Sequence, residues 1–307
     1  MKYRPLGSSG LEVSEISFGA GPVAGLMTGT AFEQQLQVLQ TAFDTGINWI
    51  DTAAGYGNGA SERALGNALQ QLDSRQHIQI ATKVRIQRHS SASICEQIRT
   101  GITDSLQRLQ RPHVTLLQLH NAITDQPDQE PFSLTPEEVL GPAGVAAAFS
   151  ELRRAGLIRC CGLTGTGSPT SLRRVLKSGL FDTLQIPFNR LNPSAGVSLP
   201  PDSVPVDYGN LLADCQRLQM GAFAIRVLAG GAIAGRPPSA HTLTTPFFPL
   251  SLYEQDLRQA QTLPEATRPD TAVPQAIRFV LKHPAVCSAI IGFAEPDEIR
   301  QACAVTA

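Results

Sequence analysis

Long apolar segments, paired cysteine motifs and an excess of either charge are all absent from this sequence. None of its apolar runs reaches the roughly 20 residues that a membrane-spanning helix needs, and the opening MKYRPLGSSG lacks the hydrophobic core of a signal peptide. The formal net charge of −1 gives no indication of a surface that binds nucleic acid or a membrane. We therefore expect a cytoplasmic protein, a monomer or small homo-oligomer, with neither of those partners.

The cysteines give no indication of a metal site. They are Cys95, Cys160, Cys161, Cys215, Cys287 and Cys303. None forms a C-x-x-C pair, which is the spacing that marks many zinc and redox sites. We therefore predict no metal, and reduced thiols that are mostly buried.

Short apolar runs alternate with amphipathic segments along almost the whole chain. The runs predict strands at 15–19, 47–51, 78–83, 114–120, 159–164, 182–188, 221–228 and 286–292. The amphipathic segments predict helices at 30–45, 61–72, 92–109, 143–155, 169–178, 206–219, 251–262 and 271–283, and from about 296. This order favours the α/β class, as a closed (β/α)8 TIM barrel that forms one domain over residues 1–307. We expect the predicted N-terminal hairpin, from Tyr3 to Ser14, to close the bottom of the barrel.

Ionisable side chains stand at the carboxyl ends of three consecutive predicted strands. Asp51 ends the second strand, Lys83 the third and His120 the fourth, and Tyr56 follows Asp51 in a turn between two glycines. In parallel α/β folds, sites are built at this end of the strands. Each residue alone has a structural explanation, as a cap, a packed ring or a core histidine. Together, on neighbouring strands, they favour a catalytic site.

These residue types suit the reduction of a carbonyl by a nicotinamide hydride. A free Tyr phenol has a pKa of about 10, and a neighbouring ammonium lowers it. Tyr56 would then be the acid, and Lys83 would lower its pKa. Asp51 would hold Lys83, and His120 would orient the carbonyl. In the oxidative direction Tyr56 would act as the base.

A competing motif allows a different interpretation. The segment GAGPVA at 19–24 matches the G-x-G-x-x-A pattern of Rossmann dinucleotide-binding domains, and Asp51 ends the next strand, where such a domain holds the ribose. Pro22 argues against it, because proline removes a backbone N–H that such a loop offers to the pyrophosphate. A Rossmann domain also requires a helix that starts near Gly21.

The chain resembles the aldo-keto reductase superfamily from Tyr3 to about Gln301. The resemblance is carried by INWIDTAAGYGNGASERALGNAL at 47–69, by the ATK that ends at Lys83, by LQLHN at 117–121 and by AIRFVLKHPAVCSAIIGFAEPDEI at 276–299. It implies a (β/α)8 barrel whose catalytic Asp, Tyr, Lys and His fall on the residues named above. It also implies a small-molecule carbonyl or sugar substrate, and a nicotinamide cofactor bound across the barrel mouth.

The resemblance assigns the cofactor positions less completely. Thr164 stands where the family often has Ser-Asn, and we expect it to donate to the nicotinamide amide. Gln185 matches the amide-binding Gln, and Ile225 replaces a stacking aromatic residue. The other implied positions are Arg226, Leu228, Gly230, Ile291, Gly292, Phe293, Arg300 and Gln301. The run at 226–231 also looks similar to the aldose and galactose dehydrogenase branch.

The choice between NADP(H) and NAD(H) stays open at this point. A 2′-phosphate favours Arg or Lys. Here Glu295 and Asp297 are acidic, and only Arg300 is near. Local charge therefore favours NAD(H), whereas frequency in the family favours NADP(H). Because the sequence stops at Ala307, we expect a pocket that is open or is completed by a neighbouring molecule.

The resemblance also leaves an alternative function, a nicotinamide-binding regulatory or scaffold protein with little turnover. The superfamily includes potassium-channel β subunits, and these suggest the alternative.

Overall fold

The computed structural model describes residues 1–72, 78–264 and 269–306. The strands are β1 (Tyr3–Pro5), β2 (Glu12–Ser14), β3 (Ile16–Gly19), β4 (Trp49–Asp51), β5 (Gln79–Val84), β6 (Val114–Leu119), β7 (Ile158–Thr164), β8 (Thr183–Pro187), β9 (Gly221–Ile225) and β10 (Val286–Ile291). The helices are α1 (Leu26–Gly29), α2 (Phe32–Asp44), α3 (Ala60–Gln71), α4 (Ile94–Leu109), α5 (Pro136–Leu140), α6 (Val145–Arg154), α7 (Pro169–Leu176), α8 (Leu211–Arg217), α9 (Leu250–Ala260), α10 (Pro269–Lys282) and α11 (Pro296–Ala304), with a 3-10 helix at Ala229–Ala234. Within these ranges no helix has the length and apolar character to span a membrane.

The strands β3 to β10 form a closed parallel barrel. Each pairs with the next along the chain, and β10 returns to pair with β3, where Ile290 lies opposite Ser17. The predicted (β/α)8 barrel is therefore confirmed. The Rossmann interpretation is wrong, because such a sheet is open and because the chain after β3 runs on to Leu26 before a helix begins.

The N-terminal hairpin closes one end of the barrel, as the sequence predicts. β1 and β2 pair antiparallel. Leu6 and Leu11, in the turn between them, and Val13 of β2 are buried. These side chains pack in one cluster with Trp49 and Phe223 from the barrel interior. Full burial of an aliphatic side chain contributes about 1.5–3 kcal/mol. The hairpin therefore seals the end of the barrel opposite the strand ends that carry Asp51 and Lys83.

Most predicted boundaries agree with the structure to within two residues, and the exceptions have local causes. β9 stops at Ile225 because Arg226 adopts a left-handed backbone conformation, with φ 52°. α8 begins only after Asn210, which is also left-handed at φ 55°. The loop predicted at 121–142 contains the short helix α5, which is too short for its periodicity to be read from sequence.

Candidate active site

Lys83 is the centre of a hydrogen-bonded group at the carboxyl ends of the barrel strands. Its side chain is fully buried, and its Nζ donates to Asp51 Oδ2 at 2.6 Å, to the Thr52 carbonyl oxygen at 2.9 Å and to Tyr56 Oη at 3.2 Å. An ammonium has three N–H donors, so each has an acceptor. The geometry arises because β4 and β5 are neighbours in register, with Asp51 opposite Ala81, two residues before Lys83.

His120 completes the group from the adjacent strand. It directly follows β6, and its ring meets the Tyr56 ring edge-on, with 5.8 Å between centroids. Lys83 Nζ lies 4.9 Å from the centroid of the same Tyr56 ring. Tyr56 and His120 are both only partly buried. The structure therefore brings the predicted catalytic residues together, with the phenol and the imidazole at the open side.

The pKa of Tyr56 differs in direction from the sequence expectation. Burial raises the pKa of the phenol above its ordinary value of 10.0, the Lys83 ammonium lowers it, and Asp51 raises it, with a net increase. The lowering that we expected from Lys83 is present but is smaller than the effect of burial. Tyr56 is therefore a neutral phenol at neutral pH and holds the proton that an acid catalyst must give.

At neutral pH the Lys83 side chain is charged, whereas the His120 side chain is neutral. Burial alone would lower the pKa of Lys83, but the Asp51 carboxylate and Tyr56 raise it, so that the ammonium stays charged. Burial first, and then the charges of Lys83 and Arg85, lower the pKa of His120 well below 6.5. The imidazole is therefore neutral at neutral pH, with one N–H donor.

The turn that carries Tyr56 is anchored by Ser61 and Glu62 at the start of α3. The Ser61 hydroxyl donates to the Ala20 carbonyl oxygen and bonds the Thr52 hydroxyl, each at 2.8 Å. Glu62 is fully buried and forms an ion pair with Arg108, at 2.7 Å from Nε. The sequence predicts only a helix that begins at residue 61. Ser61 fixes both the end of β4 and the loop after β3, and Glu62 ties the start of α3 to Arg108 on α4.

The second oxygen of Asp51 is held by two amides from other barrel strands, one on β6 and one on β8. Gln185 donates to Asp51 Oδ1 at 2.9 Å, and Gln118 donates to it at 3.2 Å. Gln118 was missed from sequence, although it precedes His120 by two residues and so points to the same side of β6. Its Oε1 is buried without a hydrogen-bond partner among the described residues.

Thr164, Gln185 and Ile225, which the resemblance implies for nicotinamide binding, lie on the consecutive strands β7, β8 and β9. Thr164 pairs with Gln185 across β7 and β8, and Ile225 ends β9 half-buried. The Thr164 hydroxyl donates to the Leu119 carbonyl oxygen at 3.0 Å, so it cannot also donate to a nicotinamide amide as we expected. It can accept from that amide, as can the Gln185 carbonyl. A carboxamide edge beside an apolar side chain fits nicotinamide.

Among the remaining implied cofactor residues on the β9 side, Arg226 already has structural partners. Arg226 forms an ion pair with the buried Asp256 at 2.5 Å, and its guanidinium carbon lies 4.6 Å from the Phe248 ring centroid. Leu228 precedes the 3-10 helix, and Gly230 has a φ of 70° that suits a residue without a side chain. A cofactor contact by the Arg226 side chain would compete with Asp256.

The residues implied after β10 divide between core and surface. Ile291 ends β10, and a Cβ on Gly292 would come within 2.9 Å of the Ala24 Cβ, so the two loops pass closely. Phe293 is buried, with its ring 5.9 Å from that of Phe18, so its side chain belongs to the core. On α11, Arg300 pairs with Asp297 at 2.5 Å and Gln301 is exposed. Their roles in cofactor binding stay predictions.

An unanticipated cation also lies beside α11. Arg236, from the segment after the 3-10 helix, forms an ion pair with Glu298. The segment from Glu295 to Arg300 thus carries acidic groups whose neighbouring arginines are already paired.

Comparison with known proteins agrees with this geometry. The aldo/keto reductase family model matches residues 15–307. Aldo-keto reductase YhdN of Bacillus subtilis is 26% identical over 100% of this chain and 89% of its own length. L-galactose dehydrogenase of Arabidopsis thaliana is 31% identical over 54% of this chain and 49% of that protein, so the match spans about half of that relative.

A solved structure shares the fold. The holo form of aldo-keto reductase AKR11C1 from Bacillus halodurans superposes with a TM-score of 0.72 and 23% sequence identity, over 100% of this chain and 91% of that chain. Because the family model covers the chain from its first barrel strand onwards, this protein belongs to the aldo/keto reductase family.

Proposed function

We propose that this protein is an NAD(P)(H)-dependent oxidoreductase that transfers a hydride between its cofactor and the carbonyl or alcohol of an aldehyde, ketone or aldose. The observation that carries the proposal is the buried Lys83 ammonium, which hydrogen-bonds both Asp51 and the partly buried Tyr56 phenol. A buried charge is costly even when it is paired. Its placement beside an accessible proton donor therefore supports a chemical role.

Tyr56 is the proton donor in the proposed reduction. A nicotinamide bound at the barrel mouth would supply the hydride. Tyr56 would give its phenolic proton to the carbonyl oxygen as negative charge develops there. The Lys83 ammonium, at 3.2 Å from Oη, stabilises the phenolate that remains. Neutral His120 donates a hydrogen bond to the same substrate oxygen and orients it. In oxidation the Tyr56 phenolate removes the proton from the alcohol.

We infer that Thr164 and Gln185 accept hydrogen bonds from the nicotinamide amide, and that Ile225 packs against the ring. For the adenosine end, the charges near α11 favour NAD(H), since Arg236 and Arg300 already pair with carboxylates. An added 2′-phosphate would have to compete with Glu298 and Asp297 for those arginines. Residues 1–307 would act as one domain, and the cytoplasmic location stays a prediction.

Parallel assays with NADH and NADPH test the proposal. The purified protein is incubated with each cofactor and a panel of aldehydes, ketones and aldoses, and loss of the reduced nicotinamide absorbance is followed. Carbonyl-dependent oxidation is expected, with NADH used at least as well as NADPH. Tight nicotinamide binding without turnover of any carbonyl would instead support the regulatory or scaffold alternative. Absence of binding would contradict both.

A further inference from the structure

Arg85 lies at the barrel mouth beside the catalytic group, immediately after β5. Its Nε donates to the His120 carbonyl oxygen at 3.4 Å. Its charge contributes to the lowered pKa of His120, after burial and Lys83. The positions implied for the cofactor belong to β7, β8, β9 and β10 and the segments after them. Arg85 therefore borders the mouth from the other side, where a substrate would lie against Tyr56 and His120.

The charge of Arg85 has no acidic partner in the described part of the chain. Arg88, three residues further on, pairs with both Asp128 and Glu138. Arg85 forms no such ion pair, and its terminal nitrogens donate no hydrogen bond to any described residue. The residue is nevertheless partly buried, and this burial lowers the pKa of the guanidinium. A partly desolvated cation without a counter-charge is the condition in which an anionic ligand is bound most favourably.

Two aromatic rings from separate loops hold the guanidinium in place. Its central carbon lies 4.4 Å from the Phe247 ring centroid and 5.3 Å from that of Phe132. The two rings are themselves 6.2 Å apart. Stacking on aromatic faces is a property of Arg that fixes its orientation. The two rings therefore fix the direction in which the N–H groups of the Arg85 guanidinium point.

The buried Asn121 joins the two segments that carry this arrangement. Its Nδ2 donates to the Phe132 carbonyl oxygen at 2.6 Å and to the Ile86 carbonyl oxygen at 2.9 Å, and its Oδ1 accepts from the Ile86 N–H at 2.8 Å. Asn121 directly follows His120, so one short segment positions the catalytic imidazole and the loops around Arg85. The site is built from the same framework as the catalytic group.

We propose that Arg85, held against the rings of Phe132 and Phe247, is a specificity subsite that binds a carboxylate carried by the carbonyl substrate. The inference rests on the proposed oxidoreductase function and narrows its substrate class to carbonyl compounds with an acidic group. A carboxylate is favoured over a phosphate because Arg85 is a single positive charge. The nearby cations Lys83 and Arg88 are already paired. A planar carboxylate also matches the fork of one guanidinium.

The test compares a charged and an uncharged aldehyde of the same chain length, succinate semialdehyde and butanal. The wild-type protein is expected to show the larger kcat/KM for succinate semialdehyde. Replacement of a charge-assisted pair lowers binding by about 10- to 100-fold, so Arg85→Gln should reduce the ratio of the two kcat/KM values by that factor. Arg88→Gln, which removes a paired arginine outside the site, should leave the ratio unchanged.

The same proposal is tested in the wild-type protein without a variant. Succinate should inhibit butanal reduction competitively, and succinamide at the same concentration should not. Several results would overturn the subsite while leaving the oxidoreductase function intact: a ratio near one in wild type, an equal loss for both aldehydes in Arg85→Gln, or a preference for glyceraldehyde 3-phosphate over succinate semialdehyde. If no carbonyl is turned over with either nicotinamide, the function and the subsite fail together.

Discussion

Asp51→Asn should destabilise the protein far more than the loss of an ordinary ion pair. In the folded protein, Asp51 and Lys83 have side chains that are 5% and 0% exposed, and their atoms are 2.6 Å apart. The substitution leaves the Lys83 ammonium buried with no counter-charge. It also leaves Gln118 and Gln185 donating to a weaker, neutral acceptor.

The magnitude follows from the burial of the pair. Removal of one partner of a buried ion pair costs about 3–5 kcal/mol, because the other charge remains desolvated. An exposed pair contributes at most about 1 kcal/mol. Asp297→Asn is the matched control, since it breaks the Arg300–Asp297 pair, whose side chains are 60% and 81% exposed. Native stabilities are about 5–15 kcal/mol, so the Asp51 variant should lose a large fraction of its stability.

Urea unfolding, followed by circular dichroism, measures both variants against wild type. The free energy of unfolding should fall by about 3–5 kcal/mol in Asp51→Asn and by less than about 1 kcal/mol in Asp297→Asn. The double variant Asp51→Leu with Lys83→Met should recover part of the loss, since it removes the unpaired charge. An equal decrease in the free energy of unfolding in Asp51→Asn and Asp297→Asn would show that burial of the Asp51–Lys83 pair does not set its contribution to stability.

Two further predictions concern acid stability and barrel packing. Because the folded-state pKa of His120 is lowered well below 6.5, the unfolded chain binds a proton that the folded protein excludes, so stability should decrease as pH falls below about 6.5. His120→Asn should flatten the pH dependence of the free energy of unfolding, measured by urea titration, whereas the exposed His113→Asn should not. Identical pH profiles in wild type and His120→Asn would contradict this prediction. Gly162→Ala places a Cβ 2.1 Å from Thr183 Oγ1, whereas Gly29→Ala meets nothing within 4 Å. Gly162→Ala should lower the free energy of unfolding by about 1–3 kcal/mol, and Gly29→Ala should not. Equal stability of the two variants would show that the barrel wall relaxes around the added Cβ.

The convergence of the four proposed catalytic residues could be predicted because each position depends on a local pattern. Asp51, Lys83 and His120 stand at or next to the ends of apolar runs, and parallel strands bring such ends to one edge. Tyr56 follows in a short turn whose glycines indicate a tight reversal. The closed barrel followed from the repeated alternation of strands and helices alone.

The features that could not be predicted depend on contacts between distant segments. Gln118 and Gln185 reach the same Asp51 oxygen from strands that are far apart in sequence. The direction of the Tyr56 pKa shift depends on the balance between burial and the Lys83 charge, which no sequence pattern encodes. The aromatic contacts of Arg85 come from two loops that have no periodicity to read.

Replacement of Tyr56 by Phe tests whether the Tyr56 phenol is the proton donor. The variant removes only the phenolic oxygen, and Tyr3→Phe is the matched control, since Tyr3 donates to the Gly46 carbonyl oxygen in the hairpin region. Reduction of the preferred carbonyl is measured in a single turnover, with nicotinamide binding followed separately by its fluorescence. Tyr56→Phe should bind the cofactor as wild type does and lose turnover by at least about 100-fold, while Tyr3→Phe retains it. Turnover at the wild-type rate in Tyr56→Phe would show that the Tyr56 phenol is not the proton donor.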